Sequence, residues 1–441
     1  MASPAKVIPF SEPPWLAGLP SPYFNESHRK WQKVCREFIG KNLHENALQW
    51  EDEGEVPPEV FQKFTEANML IPNLPAPLPV EALNRLGIYE LPGGLRLEDF
   101  DYLHFYVYVN EIRRAGLAGP PNSVIAGMAY GVPPILKYGS KELQDRFLPD
   151  LMRGGKRICI AITEPGAGSD VANIQTTAKK SPCGKYYIVN GSKKWITNGV
   201  WSQYASMAVR TGGPGRTGLS LLVVPLLGHE GVSMRRLKNS GAATSGTTFI
   251  ELDDVKVPVE NLIGEEGQGM KMIMTNFNHE RLNIAIGVTR SARVALSSAF
   301  EYVMKREAFG KALIEQPVVR HRLAKAGAEL ESLSAWVEQF VYMMTKLKKE
   351  DADRELGGLT ALAKAKAGMV LDECVRTAVL LFGGNGYTRS GQGEVVEKLY
   401  REIPGARIPG GSEDVLLDLS IRELVKHFRA QSAALDKPSK L

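Results

Sequence analysis

The chain is poor in cysteine, with only Cys35, Cys159, Cys183 and Cys374 among 441 residues, no CxxC pair and no His/Cys group at ligand spacing. That scatter argues against a disulfide framework or a metal centre and predicts four reduced thiols. No dense Lys/Arg run with interleaved aromatics is present and the net charge is only +5, so no nucleic-acid partner is expected. No uninterrupted apolar run reaches membrane-spanning length, and the opening MASPAKVIPFSEPPW has no apolar core for a secretory signal, so a soluble protein is expected. What is present is ordinary for a globular chain: 44% hydrophobic and 23% charged residues, in a length sufficient for about three domains.

Local patterns divide the chain. Residues 1–25 form a Pro-rich leader, expected to be flexible, and residues 26–157 read as helical, broken at Pro57-Pro58, Pro72 to Pro79 and Gly119-Pro120-Pro121. From 158 to 264 the character is that of strands. Tyr186 to Val189 and Lys193 to Thr197 read as two strands around an Asn190-Gly191 hairpin turn, and Leu219 to Leu226 and Thr247 to Val257 add further runs. Helices return over 265–430. Ile284, Val288, Ala292, Ala295, Ala299 and Val303 repeat at steps of three or four on one face of a long helix. A second, mostly apolar helix is expected from about Leu362 to Phe382, capped by Gly383. The tail, 431–441, ends in Ser439-Lys440-Leu441, the tripeptide read by the peroxisomal import receptor, so a peroxisomal location is expected. The pattern is that of an α+β multidomain protein.

Four segments then specify the class: TEPGAGSD at 163–170, KWITNG at 194–199, REAFGK at 306–311 and FGGNGY at 382–387. In this order and spacing they resemble the acyl-CoA dehydrogenase family of flavoproteins. The resemblance implies an N-terminal helical domain, a middle β-barrel-like domain and a C-terminal four-helix bundle. It implies FAD held by Ile162, Thr163, Gly168, Ser169, Trp195 and Thr197, with Ser169 also near the CoA arm of the substrate. It further implies that Arg306, Phe309, Gln316, Gly383 and Gly384 reach the FAD of a neighbouring subunit in a homodimer or homotetramer, and that Ser412 and Asp414 touch FAD. Two places depart from the family's habit: Leu380 stands where a glutamine is frequent, and the RSGQG loop at 389–393 is long.

The family's usual catalytic glutamate falls, by ungapped register from Leu399-Tyr400-Arg401, on Gly410, followed by Gly411 and Ser412. Glycine cannot take a proton. The isovaleryl and long-chain branches instead carry the glutamate just before an arginine, 26 residues ahead of the arginine of the RxxFG motif. Here Glu280 precedes Arg281, and Arg306 follows Glu280 at that interval. By itself Glu280 reads as an acid in the first turn of a helix beginning near Asn278; the register makes it the candidate base, with Glu413 or Asp414 as a fallback. The implied reaction is α,β-dehydrogenation of an acyl-CoA thioester to the 2-enoyl-CoA. Glu280 would take the α-proton, the β-hydride would pass to flavin N5, and a backbone N–H near Gly410 would hold the thioester carbonyl. Asn278, Arg281, Gly410 and Gly411 are the implied substrate contacts. The electrons would pass to an electron-transferring flavoprotein or to O₂. Two other readings stay open at this point: a flavin-dependent oxidase or monooxygenase on the same fold, and a catalytically idle flavoprotein acting as a binding module.

Overall fold

The computed structural model describes residues 7–435 except Asn276, so the terminal Ser439-Lys440-Leu441 lies outside the described residues. The described residues fall into two compact units, Phe24–Phe277 and a second made of the N-terminal segment to Tyr23 with Asn278 onward. No helix among them is long and apolar enough to cross a membrane.

In the first unit, helices Glu26–Ile39 and Tyr102–Ile112 start at Asn25 and Asp101, each with a histidine three positions later that closes a capping box. These histidines meet. His28 Nε2 lies 3.2 Å and His104 Nδ1 2.8 Å from Asp101 Oδ1, while Ser27 Oγ sits 3.0 Å from His104 Nε2. Burial opposes the Asp101 charge, but the hydrogen bonds from His104 and His28 outweigh it and hold the carboxyl well below its usual range. The trio is thus a cap network whose ring nitrogens are already engaged. All eleven residues of Tyr102–Ile112 are buried, and its one acid, Glu111, is paired with Arg36 at 2.8 Å.

Besides a short pair at Glu90–Leu91 and Leu95–Arg96, the strands of this unit's main sheet are β1 (Ile158–Ala161), β2 (Thr177–Lys180), β3 (Tyr186–Ile196), β4 (Tyr204–Arg210), β5 (Leu219–Pro225), β6 (Val232–Arg236), β7 (Thr248–Pro258) and β8 (Leu262–Ile263). They form one sheet in the order β8-β5-β4-β2-β3-β7-β6, with β1 parallel to β4. The path is open at β8 and β6, and its alternating buried side chains, Val189, Met207, Leu222, Ile250 and Val255 among them, make a continuous core. The expected hairpin at Asn190-Gly191 does not form. Both runs belong to the single strand β3, and Asn190-Gly191 is a bulge across which the register against β7 shifts. Glycine is needed there because a Cβ at Gly191 would stand 2.6 Å from Thr176 Oγ1. Asn190 exchanges two hydrogen bonds of 2.9 Å with Asp254 across the same irregularity.

The long helices of the second unit are α1 (Phe277–Lys305), α2 (Pro317–Lys346), α3 (Lys349–Phe382), α4 (Glu394–Arg407) and α5 (Glu413–Leu435). Helix α3 starts 13 residues before the expected Leu362. It runs through Gly357-Gly358, and Gly358 allows a close approach: a Cβ there would lie 3.1 Å from the Ser420 carbonyl. The leader, expected to be flexible, is packed around Phe10 to Trp15. Trp15 is 2% exposed, and Phe10 meets Phe300 edge-on at 6.2 Å. Glu12 pairs with the buried Arg290 at 3.0 Å, and Arg293 donates to the carbonyls of Phe10 and Glu12. Two buried guanidiniums need acceptors, and the leader supplies them.

Candidate active site

The two flavin motifs lie on neighbouring strand ends. Thr163 follows β1, and its carbonyl accepts from the Lys194 amide at 3.0 Å, joining the motif to β3. Beside this bond Lys193 is wholly buried; its ammonium donates to the Ile162 carbonyl at 3.0 Å and to Glu164 at 2.8 Å. Glu164 in turn accepts from the Gln175 and Thr176 amides at 2.5 and 2.9 Å. Desolvation pulls the Lys193 ammonium down to about 8, against the pull of Glu164. This pair, absent from the sequence reading, braces both motifs; its signal was a lysine and an acid at inward positions of otherwise apolar runs.

Trp195 adopts φ 60°, in the left-handed region, within a second register shift of β3, and so presents an indole that is 50% exposed. The Lys194 ammonium lies 4.6 Å from the centroid of the indole ring. The hydroxyls of Thr163 and Thr197 bond to no other described residue, and the Oδ1 of buried Asn198 is unpartnered. Free hydroxyls beside an exposed indole are the donor and surface set that a flavin ring needs. Ile162 is half-buried, and Gly168 and Ser169 are exposed.

The second unit carries the base candidate. Glu280 lies in the first turn of α1, half-buried, and protein atoms crowd it closely enough that desolvation pushes its carboxyl up to about 7, against the opposing pull of Arg281 and Lys364. Ile284, one helical turn on, faces the same way as Glu280. A Cβ on Gly410 would stand 2.6 Å from Ile284 Cδ1. The helix face bearing Glu280 therefore packs on the turn that contains Gly410, with the end of the Ile284 side chain next to where a Cβ at 410 would stand. Gly410 and Gly411 have φ of 71° and 100°, conformations that suit glycine. The Gly410 amide bonds to no acceptor among the described residues.

Two of the substrate candidates are buried in this unit. Asn278 is buried and accepts from the Thr360 hydroxyl at 3.1 Å, tying α1 to α3. Arg281 is 5% exposed; burial lowers its guanidinium to about 10, offset by Glu280 and Glu423. Both lie on the helix that carries Glu280. The fallback base Glu413 is also occupied: it takes two bonds of 2.7 Å from Arg407, which donates to Asp372 at 2.8 Å as well. Asp414 is exposed and Ser412 half-buried ahead of α5. Arg306, Gly383 and Gly384 are exposed, Gln316 caps α2 through its backbone, and Phe309 is 93% exposed at φ 55°.

The chain matches the acyl-CoA dehydrogenase N-terminal, middle and C-terminal domains over residues 25–155, 159–255 and 267–425. It is 68% identical over 430 residues, 98% of each chain, to acyl-CoA dehydrogenase apdG of Emericella nidulans. It is 38% identical to acyl-CoA dehydrogenase AFT10-1 of Alternaria alternata, covering 94% of this chain and 95% of that one. Among solved structures, an acyl-CoA dehydrogenase from Geobacillus kaustophilus superposes with a TM-score of 0.79 at 30% identity, covering 92% of this chain and 100% of that one. The three matched domains, the two flavin motifs on adjoining strand ends and the helical unit bearing a desolvated carboxyl agree: the chain belongs to the acyl-CoA dehydrogenase family.

Proposed function

We propose that this FAD-dependent acyl-CoA dehydrogenase forms the 2-enoyl-CoA with Glu280 as its general base. One observation carries the assignment: Glu280 and the empty position 410 belong to touching surfaces, with Ile284 in the space a side chain at 410 would need. Thr163, Trp195 and Thr197 would hold the flavin, which when bound supplies the acceptor for the β-hydride. Glu280 takes the α-proton, and its elevated pKa suits it to do so near neutrality. The free Gly410 amide donates to the thioester carbonyl and stabilises the negative charge that develops there as the proton leaves. Arg306, Phe309, Gly383 and Gly384, all exposed, would serve a neighbouring subunit in a homodimer or homotetramer. The electrons would leave for an electron-transferring flavoprotein or O₂. We place the protein in the peroxisome on its SKL tripeptide.

The test is anaerobic mixing of the purified yellow protein with a panel of acyl-CoAs. Bleaching of the flavin by at least one of them, with the enoyl-CoA as product, is the expected outcome. Peroxide on admitting air would identify O₂ as acceptor, and a flavin that no acyl-CoA reduces would contradict the assignment.

A further inference from the structure

Lys364 is a buried lysine in α3, 1% exposed, set between Ala361 and Ala365, small residues that pack against Leu416 of α5. An ammonium in such a place is costly unless its donors are used. Two are: Nζ donates to the Arg407 carbonyl at 3.1 Å and to the Gly411 carbonyl at 2.8 Å. These carbonyls are the two ends of the turn that contains Gly410. The amides of Gly410 and Gly411 bond to no described acceptor, so side chains hold the turn. From its other side the turn is held by Arg407, paired with Glu413 of α5 and Asp372 of α3.

Lys364 is also near enough to Glu280 for each charge to act on the other. The charged groups acting there are few: Arg281 beside Glu280 on α1, Lys364 from α3, and Glu413 and Glu423 from α5, acting on Lys364 and Arg281 respectively. Desolvation lowers the Lys364 ammonium to about 8, with Arg281 adding to the effect and Glu413 and Glu280 opposing it.

We propose that Lys364 is a positioning residue of the dehydrogenation site: its ammonium closes the turn that presents the Gly410 amide and sets a positive charge beside Glu280 that favours the ionised base. The inference rests on the assignment of Glu280 as base. One side chain thereby couples the placement of the carbonyl's donor to the readiness of the proton acceptor.

Lys364→Met and Lys364→Gln test it, with flavin reduction by an acyl-CoA followed anaerobically across pH. Loss of the cation should move the acid limb of the rate profile upward by about half a unit or more in both variants. The plateau rate should fall about tenfold or more in Lys364→Met, and less in Lys364→Gln, which keeps a donor for the carbonyls. A purely architectural lysine would change stability or flavin content and leave the limb where it is. An unmoved limb in either folded, yellow variant overturns the proposal, and the Gln variant carries the test if the Met variant does not fold. Glu280→Gln in the same series separates the two ideas. If it is reduced as fast as the natural enzyme, the base assignment has failed; if it is slow while the Lys364 limb stays put, only this inference has.

Discussion

A carboxylate that takes a proton from carbon works best when its pKa lies near the operating pH, and Glu280 reaches about 7 by desolvation alone, against two nearby cations. The ionised form is the base, so flavin reduction should rise with pH through about 7 and level off above it. A flat profile between pH 6 and 8 would show that another group governs the step. The same shift has a cost in stability. The folded-state value lies above the unfolded one, so the folded chain holds the proton more tightly and loses stability as pH climbs from about 4.5 to about 7. Glu280→Gln removes that loss. Allowing for partial exposure, it should stabilise the protein by about 1–2 kcal/mol at pH 8 and by much less at pH 5, as denaturant titrations at the two values can measure.

At the scale of elements, the site depends on close approaches between backbones. Gly410 combines a left-handed φ with a Cβ position 2.6 Å from Ile284. Gly410→Ala should therefore destabilise by about 2 kcal/mol or more, through backbone strain and overpacking together. Moving the base back, as Glu280→Gln with Gly410→Glu, should yield no activity unless Ile284 is also cut to Ala or Gly. Recovery without that third change would refute the packing argument, and reduction rates of the double and triple variants decide it. In the sheet, Lys193 and Glu164 form a buried pair that clamps the strand ends bearing Thr163 and Trp195. Lys193→Met leaves Glu164 buried without its counter-charge and should cost about 3 kcal/mol or more, with loss of FAD before loss of secondary structure on heating. Unaltered melting and flavin retention would show the pair to be dispensable.

At the scale of the whole molecule, the order of helical, sheet and helical domains was legible because periodicity and punctuation change twice along the chain. Glu280 stands out in the sequence as a candidate base only through its interval to Arg306. What escaped was set by distant packing. A leader of prolines looks free until Arg290 and Arg293, nearly 300 residues on, are seen to need its acceptors. Asn190-Gly191 looks like a turn until Thr176 is seen to crowd it. The bond from Thr360 to Asn278 joins residues 82 apart and leaves no trace in the sequence, and Lys364 looks like one more lysine in a helix. The tail makes a prediction of its own: removing Ser439 to Leu441 should leave a folded, yellow enzyme in the cytosol, whereas a tagged version with a free C-terminus should be peroxisomal by microscopy. A cytosolic location for the intact tail would remove the peroxisomal assignment without touching the chemistry.

The central claim is that the proton acceptor has moved from position 410 to Glu280, and rapid mixing of Glu280→Gln with an acyl-CoA that reduces the natural enzyme tests it most directly. The variant should retain FAD and still perturb its spectrum on binding, while flavin reduction slows by about 10³-fold or more, the upper range of a lost general base. Reduction at the natural rate by the same acyl-CoA would contradict the account.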